Sequence, residues 1–161
     1  MSATAFLTFF DKADGESIHK GKEKWVEVQS WEWGVEAQSS WTKGGGASVG
    51  KPQPGAIVWV HNFDTSSHVI LGYICTGKSF PKVELQMQKT APTGPAETYF
   101  TMTLEGAFIT RVTCGAAQEG GLWQRVEMVF KTVKMDYKPA KTGPAKTFNW
   151  DIPAGTASPS A

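Results

Sequence analysis

Most of the chain consists of short stretches in which apolar and polar residues alternate. Residues 5–10, 56–63 and 82–89 have the composition or the period expected of strands with one buried face. Clusters rich in Gly, Pro and small polar residues separate such stretches at short intervals, as turns do. About eight strands can be counted, which predicts a mainly β fold, a compact antiparallel β-barrel or β-sandwich.

The last third of the chain contains the longest apolar stretch. Residues 98–106 and 107–114 predict two successive strands, and residues 122–137 predict one long strand with apolar residues on both faces. Its second apolar face is covered either by the rest of the chain or by another subunit. A final strand is predicted at residues 147–152.

In the stretch KWVEVQSWEWGV, the large apolar residues switch from even to odd positions. Two valines occupy even positions and two tryptophans occupy odd positions: Val26, Val28, Trp31 and Trp33. All four can face one core only if an extra residue lies between the two pairs. We therefore expect a β-bulge near Gln29 and Ser30.

One segment has the spacing of a helix. Polar residues at positions 64–67 can cap it, and Gly77 can end it in the left-handed conformation. The apolar residues between these ends recur at helical spacing: Val69, Ile70, Tyr73 and Ile74. This pattern predicts a single short helix over about residues 66–76, packed on the strands.

Residues 36–56 lack apolar periodicity and contain the Gly-rich run GGGASVGKP. From Gly45 the run matches all but the last place of the phosphate-binding loop G-x-x-x-x-G-K-[ST], where Pro52 replaces the hydroxyl residue. The prolines that follow cannot open the helix that such a loop needs. We therefore interpret the segment as a long, extended, flexible loop, and loops of this length are usually functional or disordered.

The chain contains seven tryptophans. Six are assigned to predicted strands, where core packing is their ordinary role: Trp25, Trp31, Trp33, Trp59, Trp123 and Trp150. Trp41 falls in the Gly-rich loop instead, and we interpret it as a contact residue for another protein surface. An alternative hypothesis is a ligand- or carbohydrate-binding β-sandwich module that uses exposed tryptophans.

Charge and composition narrow the range of partners. The 161 residues carry a formal net charge of +1 with both signs interspersed, so no extended field favours nucleic acid or anionic lipid. The N-terminus has no signal-peptide pattern, and no stretch is apolar enough for membrane insertion, which predicts synthesis inside the cell. Cys75 and Cys114 lack metal-ligand spacing and are expected to be buried free thiols. The length fits one domain over residues 1–152, followed by a polar C-terminal tail at residues 153–161.

Catalytic arrangements are only weakly indicated. Ser17 and Lys20 imitate a serine–lysine motif, but they fall in a predicted turn instead of opening a helix. Asp64, Ser67 and His68 supply the residue types of a hydrolase triad, yet neighbours on one helical turn seldom converge as a triad requires. Helix capping accounts better for the aspartate and the serine. No catalytic residue and no cofactor are therefore assigned.

A metal site is not predicted either. His61, Asp64 and His68 could be offered as ligands, but they fall on different elements with a single carboxylate among them. His19 stands alone among lysines and is interpreted as a solvated histidine.

The order of these segments resembles a known family. The succession GESIHKGKEKWVEVQSWEWG, a long Gly-rich loop, a helix ending in CTGK, then FPKVELQMQK, YFTMTLEGAFITRV, VEMVFKTVKMDYKP and FNWDI is similar to the haemolysin-coregulated protein (Hcp) family, the tube subunit of bacterial type VI secretion systems. The similarity covers roughly residues 5–152. The sequence departs from the family pattern at Ser67-His68, where Ser-Pro often opens the helix, and at Glu32, where a small residue often stands.

The resemblance implies a structural subunit and no enzyme. Members of the family form hexameric rings, which stack into a hollow tube that carries effector proteins in its lumen. The implied partners are other copies of the chain, the type VI sheath, baseplate and spike proteins, and the effectors. The resemblance further implies assembly in the bacterial cytoplasm, followed by secretion to the extracellular space through the type VI system, without a signal peptide.

The resemblance also assigns roles to particular residues. The loop at residues 36–56 would contact the next subunit or ring through a set of residues that combines an anchor, two cations and adaptable glycines: Trp41, Lys43, Gly44, Gly45, Gly46 and Lys51. Strand alternation places Glu32 opposite its flanking tryptophans. We therefore hypothesise that Glu32 faces the lumen, where six copies would form an acidic ring.

Overall fold

The computed structural model describes residues 3–42, 45–90, 94–139 and 142–159. Lys43 and Gly44, two of the proposed contact residues, lie outside this description. Within it, the strands and the helix follow in the order β1 (Ala3–Thr8), β2 (Val26–Glu32), β3 (Val35–Glu36), β4 (Ser39–Thr42), β5 (Gly46–Val49), β6 (Gln53–Pro54), β7 (Ile57–Asn62), α1 (Ser67–Thr76), β8 (Ser79–Lys89), β9 (Glu97–Ala117), β10 (Gly121–Val129), β11 (Thr132–Tyr137), β12 (Lys146–Asp151) and β13 (Thr156–Pro159).

The predicted mainly β fold with one short helix is confirmed. Nine strands form one antiparallel sheet in the order β10-β7-β2-β1-β8-β9-β11-β12-β13. Strand β10 also pairs with the second half of β9, so that six strands close on themselves and leave no edge between β10 and β9. The remaining three strands extend the sheet outward from the first half of β9.

Strand β9 belongs to both parts of the sheet. Its first half pairs with β11, and its second half pairs with β10. The sequence predicted two strands that meet after Gly106, but the structure has one strand over Glu97–Ala117. Gly106 adopts φ = 61° within the strand, and a Cβ there would lie 2.9 Å from Cδ of Lys131, so this glycine makes room for the Lys131 side chain.

The long strand predicted over residues 122–137 is wrong. The chain leaves the sheet after Val129, and strand β11 begins at Thr132. The backbone N–H of Lys131 donates to Glu105 (2.9 Å), and its carbonyl accepts from Ile152 (3.0 Å), which fixes the connection. The break moves the buried positions from even to odd residue numbers, so both Met128 and Val133 are buried. The apolar residues therefore do not define two opposite faces of one strand.

The predicted bulge in β2 is confirmed. The register between β2 and β7 shifts between Val28, which pairs with His61, and Ser30, which pairs with Val60. Gln29 is the extra residue. Beyond it Trp31 packs against the core from its half-buried position. The extra residue is what allows the valines and the tryptophans to share one side of the sheet.

The predicted helix is also confirmed. Helix α1 spans Ser67–Thr76, and Gly77 ends it with φ = 69°. At its start, the Asp64 carboxylate accepts the backbone N–H of Ser66 at 2.8 Å, and the Ser67 hydroxyl accepts the backbone N–H of Asp64 at 3.0 Å. Ile70 is buried in the core, so the helix packs against the closed part of the sheet.

The loop between β1 and β2 covers the outer face of the sheet. Phe10 and Asp11 turn the chain at the start of this loop with positive φ values of 53° and 68°. The ring of His19 then packs edge-on against Phe6, with 5.1 Å between ring centroids. Phe6 is thereby buried although it lies on the opposite side of β1 from Leu7. His19 is also 3.5 Å from the Glu27 carboxylate, so it is not simply a solvated side chain.

Candidate functional site

The segment predicted as a flexible loop is a β-ribbon that projects from the sheet. Strand β3 pairs with β6 at its base, and β4 pairs with β5 further out. Between these two ladders the Gly50 N–H donates to the Gln38 carbonyl at 2.6 Å. Within the described residues, the ribbon strands pair only with one another. The prediction of an extended segment was right, but the prediction that it lacks regular structure was wrong, because its alternation is polar and carries no hydrophobic signal.

The base of the ribbon is fixed to the core. The indole N–H of Trp33 donates to the Gly55 carbonyl at 2.9 Å, and the Gly55 N–H donates to the Gly34 carbonyl at 2.9 Å. The Trp33 ring lies 5.7 Å from that of Phe130 and 6.5 Å from that of Trp150. The ribbon therefore leaves the molecule in a direction set by buried aromatic rings.

The described surface of the ribbon is open to solvent. Val49 is 72% exposed and Val35 is 48% exposed, while the hydroxyls of Ser40 and Ser48 bond across the ladder at 2.6 Å. A two-stranded ribbon without a hydrophobic face is only marginally stable in water. Its geometry suits a segment that is completed by contact with another protein surface.

Of the predicted contact residues, Trp41, Gly45 and Gly46 lie on the outer part of this ribbon. The backbone of Trp41 pairs with Ala47, Gly45 lies in the turn, and Gly46 begins β5 with φ = 78°. Lys51 is exposed just before β6. Because the Gly-rich run leads into β5 instead of a helix, the phosphate-loop match has none of the oriented helical N–H groups that such a loop uses.

Glu32 is exposed at the end of β2. Its neighbours Trp31 and Trp33 are both half-buried, so the carboxylate is on the opposite side of the strand from the core. Along this outer side, Glu32 lies opposite Val58, which in turn lies opposite Glu127. Glu127 is 3.7 Å from the Arg111 guanidinium. The outward orientation agrees with strand alternation, and the lumen assignment remains a prediction.

The residues of the candidate triad lie in a buried network of a different composition. Ser67 is fully buried, and its hydroxyl is 3.2 Å from Nε2 of His61 instead of contacting His68, which is exposed. The indole N–H of Trp59 donates to Nδ1 of His61 at 2.9 Å. Since Nδ1 is the acceptor, Nε2 carries the proton and donates it to the serine. This tautomer cannot act as the base for Ser67, and the arrangement is therefore structural. A lone His within an alternating apolar strand gives no sequence signal for such a network.

The remaining candidates from the sequence are Ser17, the possible metal ligands and the two cysteines. Ser17 is buried, and its hydroxyl accepts the backbone N–H of His19 at 3.2 Å in a segment without a helix. Among the described residues, no cluster of three or more His, Cys, Asp or Glu side chains has the geometry of a metal site. Cys75 and Cys114 are unpaired, but both are exposed, so their predicted burial is wrong.

The tryptophans offer no open platform in the described part of the chain. Trp59 and Trp150 are buried, and Trp25, Trp31, Trp33 and Trp123 are half-buried. Trp25 precedes β2 and does not lie on a strand, and Lys22 Nζ lies 4.6 Å from its ring centroid. The long, apolar kind of helix that could cross a membrane does not occur within the described residues.

These features define a mainly β protein with a solvent-exposed polar ribbon. The family model for "Type VI secretion system effector, Hcp" matches residues 6–137. The chain belongs to this Hcp family of type VI secretion tube proteins.

Solved structures support the same assignment. Hcp1 from Salmonella typhimurium is 27% identical, with a TM-score of 0.81, and the match covers 98% of this chain and 100% of that one. A type VI secretion system effector from Yersinia pestis is 23% identical, with a TM-score of 0.74 and coverage of 92% and 99%. Hcp2 from Salmonella typhimurium is 24% identical, with a TM-score of 0.72 and coverage of 95% and 98%. No curated protein sequence matches the chain significantly.

Proposed function

We propose that this chain is the repeating subunit of a type VI secretion tube. Six copies form a ring, rings stack into a hollow tube, and the lumen carries effector proteins. The tube assembles in the bacterial cytoplasm against sheath, baseplate and spike proteins, and it leaves the cell through the type VI system. The subunit acts through its surfaces and without catalysis.

The observation that carries the proposal is the projecting ribbon. Its base is anchored by Trp33, while its outer strands pair only with each other within the described residues. Such a ribbon exposes unpaired backbone groups and apolar side chains, which proteins ordinarily cover. Contact with the next copy covers them, and cyclic closure lets every copy make the same contact.

Within the ribbon we assign separate roles to the predicted contact residues. Trp41 anchors the contact, because a large aromatic side chain contributes most when a partner buries it. Lys43 and Lys51 contribute charge, and the glycines at positions 44–46 let the backbone adapt to the neighbouring surface.

Shortening the ribbon tests the proposal. Gln38 and Gly50 face each other across it, so residues 39–49 can be replaced by an Asn-Gly turn without disturbing β3 and β6. We expect the shortened protein to remain folded, with a far-ultraviolet circular dichroism spectrum of the same type, but to lose its rings. Negative-stain electron microscopy and light scattering measure the assembly directly.

A matched control shortens a different hairpin. Replacing residues 118–120, between β9 and β10, by the same Asn-Gly pair changes a second exposed turn and leaves the ribbon intact. Rings should persist in this control. Val49→Lys, which charges an exposed apolar residue of the ribbon, should weaken ring formation at full ribbon length. Rings that form equally well from the shortened protein would contradict the proposed role of the ribbon.

A further inference from the structure

His61 lies at a buried junction between the closed sheet and the helix. Its side chain, on β7, is fully buried, and both ring nitrogens have partners. Nδ1 accepts the indole N–H of Trp59 at 2.9 Å, and Nε2 lies 3.2 Å from the hydroxyl of Ser67. An indole nitrogen can only donate, so Nδ1 carries no proton and the imidazole is neutral.

The partner of Nε2 is the first residue of α1. The Ser67 hydroxyl also accepts the backbone N–H of Asp64 at 3.0 Å, and the Ser67 carbonyl accepts the side-chain amide of Gln124 from β10 at 3.2 Å. Three elements are thus joined at one serine. Because Ser67 is fully buried, the first turn of the helix cannot leave the sheet without breaking these bonds.

The groups around His61 are mostly neutral or apolar, so they stabilise a positive charge on its ring poorly. The turn before α1 contributes the Asp64 carboxylate, the one charged group in the described part of the chain that acts on the ring. Strand β10 contributes the neutral amide of Gln124, which also lies 3.6 Å from the Cys114 thiol of β9, and β2 contributes the apolar Val28. Burial lowers the pKa of His61 below its ordinary value, although the Asp64 carboxylate and the Gln124 side chain both act in the opposite direction.

We propose that His61 is an acid-sensitive latch that holds the first turn of α1 against the sheet. A proton added at Nδ1 removes the acceptor of the Trp59 indole and places a charge among apolar groups. The turn formed by residues 64–67 then opens, so that the imidazolium reaches water, while the strands stay paired. This inference does not depend on how the subunits assemble.

The direction of the pH effect follows from the bound protons. The closed form keeps His61 neutral, whereas the open form takes up a proton with a pKa near the ordinary value of about 6.5. Acid therefore favours opening. The opening constant rises by up to about tenfold for each pH unit below about 6.5, and it stops rising below the pKa of the closed form.

Amide hydrogen exchange measured from pH 7.5 to pH 4.5 tests the latch. The reporters are the amides of Ser67 and Ile70, which donate to Asp64 and Ser66 at 3.1 Å and 3.0 Å. After correction for the intrinsic pH dependence of exchange, their protection should fall by up to about thirtyfold between pH 7.5 and pH 5.0. Protection at Leu85 and Val126, in the sheet, should not change.

The three histidines supply matched variants. His19→Gln and His68→Gln should keep the acid-dependent opening, whereas His61→Gln, which can accept and donate a hydrogen bond but cannot take up the proton, should abolish it. If His61→Gln does not fold, Asp64→Asn supplies the test: without the carboxylate the pKa of His61 in the closed form falls further, so the rise in opening must continue to lower pH than in the wild type. Unchanged reporter protection, loss of sheet protection together with the helix, or a wild-type response in His61→Gln would each overturn the proposal.

Discussion

Gly15 shows how closely the loop between β1 and β2 approaches the sheet. A Cβ at this position would lie 2.5 Å from the Trp25 carbonyl oxygen and 2.8 Å from Cα of Val26. The Gly15 N–H donates to the Lys24 carbonyl at 2.8 Å, which keeps the two segments in contact. The absence of a side chain at this position allows the close backbone approach.

We predict that Gly15→Ala destabilises the subunit. The methyl group would collide with backbone atoms, which cannot rotate away as a side chain can, so the loop must shift. The expected loss is about 1–3 kcal/mol in the free energy of unfolding. Urea denaturation followed by tryptophan fluorescence measures it.

Gly72→Ala is the matched control for this substitution. Gly72 lies within α1, and an added Cβ there meets no atom within 4 Å. Replacing a helical glycine by alanine stabilises by about 0.5–1 kcal/mol. Equal effects of the two substitutions would show that the close contact at Gly15 has no energetic importance.

The contacts and exposure of single residues were the features that the sequence predicted least well. The buried bonds around His61 join residues up to 57 positions apart in the chain, and no pattern near His61 in the sequence predicts them. The exposure of Cys75 and Cys114 was likewise missed, because a thiol fits equally well in a core or on a surface. Such assignments depend on tertiary contacts that local patterns do not contain.

At the scale of elements, the bulge in β2 could be predicted because two apolar patterns conflicted. A strand cannot place both even and odd positions on one face without an extra residue. The break at Phe130 and Lys131 has the same effect on parity, but no glycine or proline marks it. It is fixed by hydrogen bonds to Glu105 and Ile152, which are remote in sequence.

Deleting Gln29 should severely destabilise the protein. Without the extra residue, the following part of β2 would turn over, and Trp31 and Trp33 would leave the core side of the sheet. Loss of packing by one large aromatic side chain costs about 3–5 kcal/mol. The free energy of unfolding, measured by chemical denaturation, reports the change.

The control variant keeps a residue at position 29 and shortens only its side chain. Gln29→Ala abolishes an exposed hydrogen bond of 2.6 Å to the Asn62 side chain and leaves the register intact. We expect it to cost no more than about 1 kcal/mol. If the deletion were as mild as this substitution, the bulge would not determine which side the tryptophans occupy.

At the scale of the whole molecule, the closed strands and the ribbon have different tasks. The closed part buries the core and leaves few edges, while the ribbon strands, within the described residues, pair only with one another. The sequence indicated the first through alternation and the second only through the resemblance to Hcp proteins. A polar ribbon buries nothing in the isolated chain, so no hydrophobic period marks it.

Glu32→Lys is predicted to change cargo retention without unfolding the subunit. The carboxylate is exposed at the end of β2, so its replacement should alter the free energy of unfolding by no more than about 0.5 kcal/mol. In a ring, six inverted charges would face the lumen, and binding of a basic effector should weaken by about tenfold if a few exposed pairs of up to about 1 kcal/mol are lost. Co-purification with effector, together with thermal unfolding, measures both effects.

Glu119→Lys provides the same charge change at an exposed turn between β9 and β10. It should leave effector retention unchanged. Retention that is identical in the wild type, Glu32→Gln and Glu32→Lys would argue against a lumen-facing position for Glu32.

Strand β9 is shared by the closed part of the sheet and by the three strands that extend from it. A strand of this length reaches about 70 Å when straight, at roughly 3.3 Å per residue, and its bonds to β10 and to β11 run across that direction. A pull along β9 would have to shear many bonds at once, whereas a pull across it would peel them singly. Resistance to stretching should therefore depend strongly on direction.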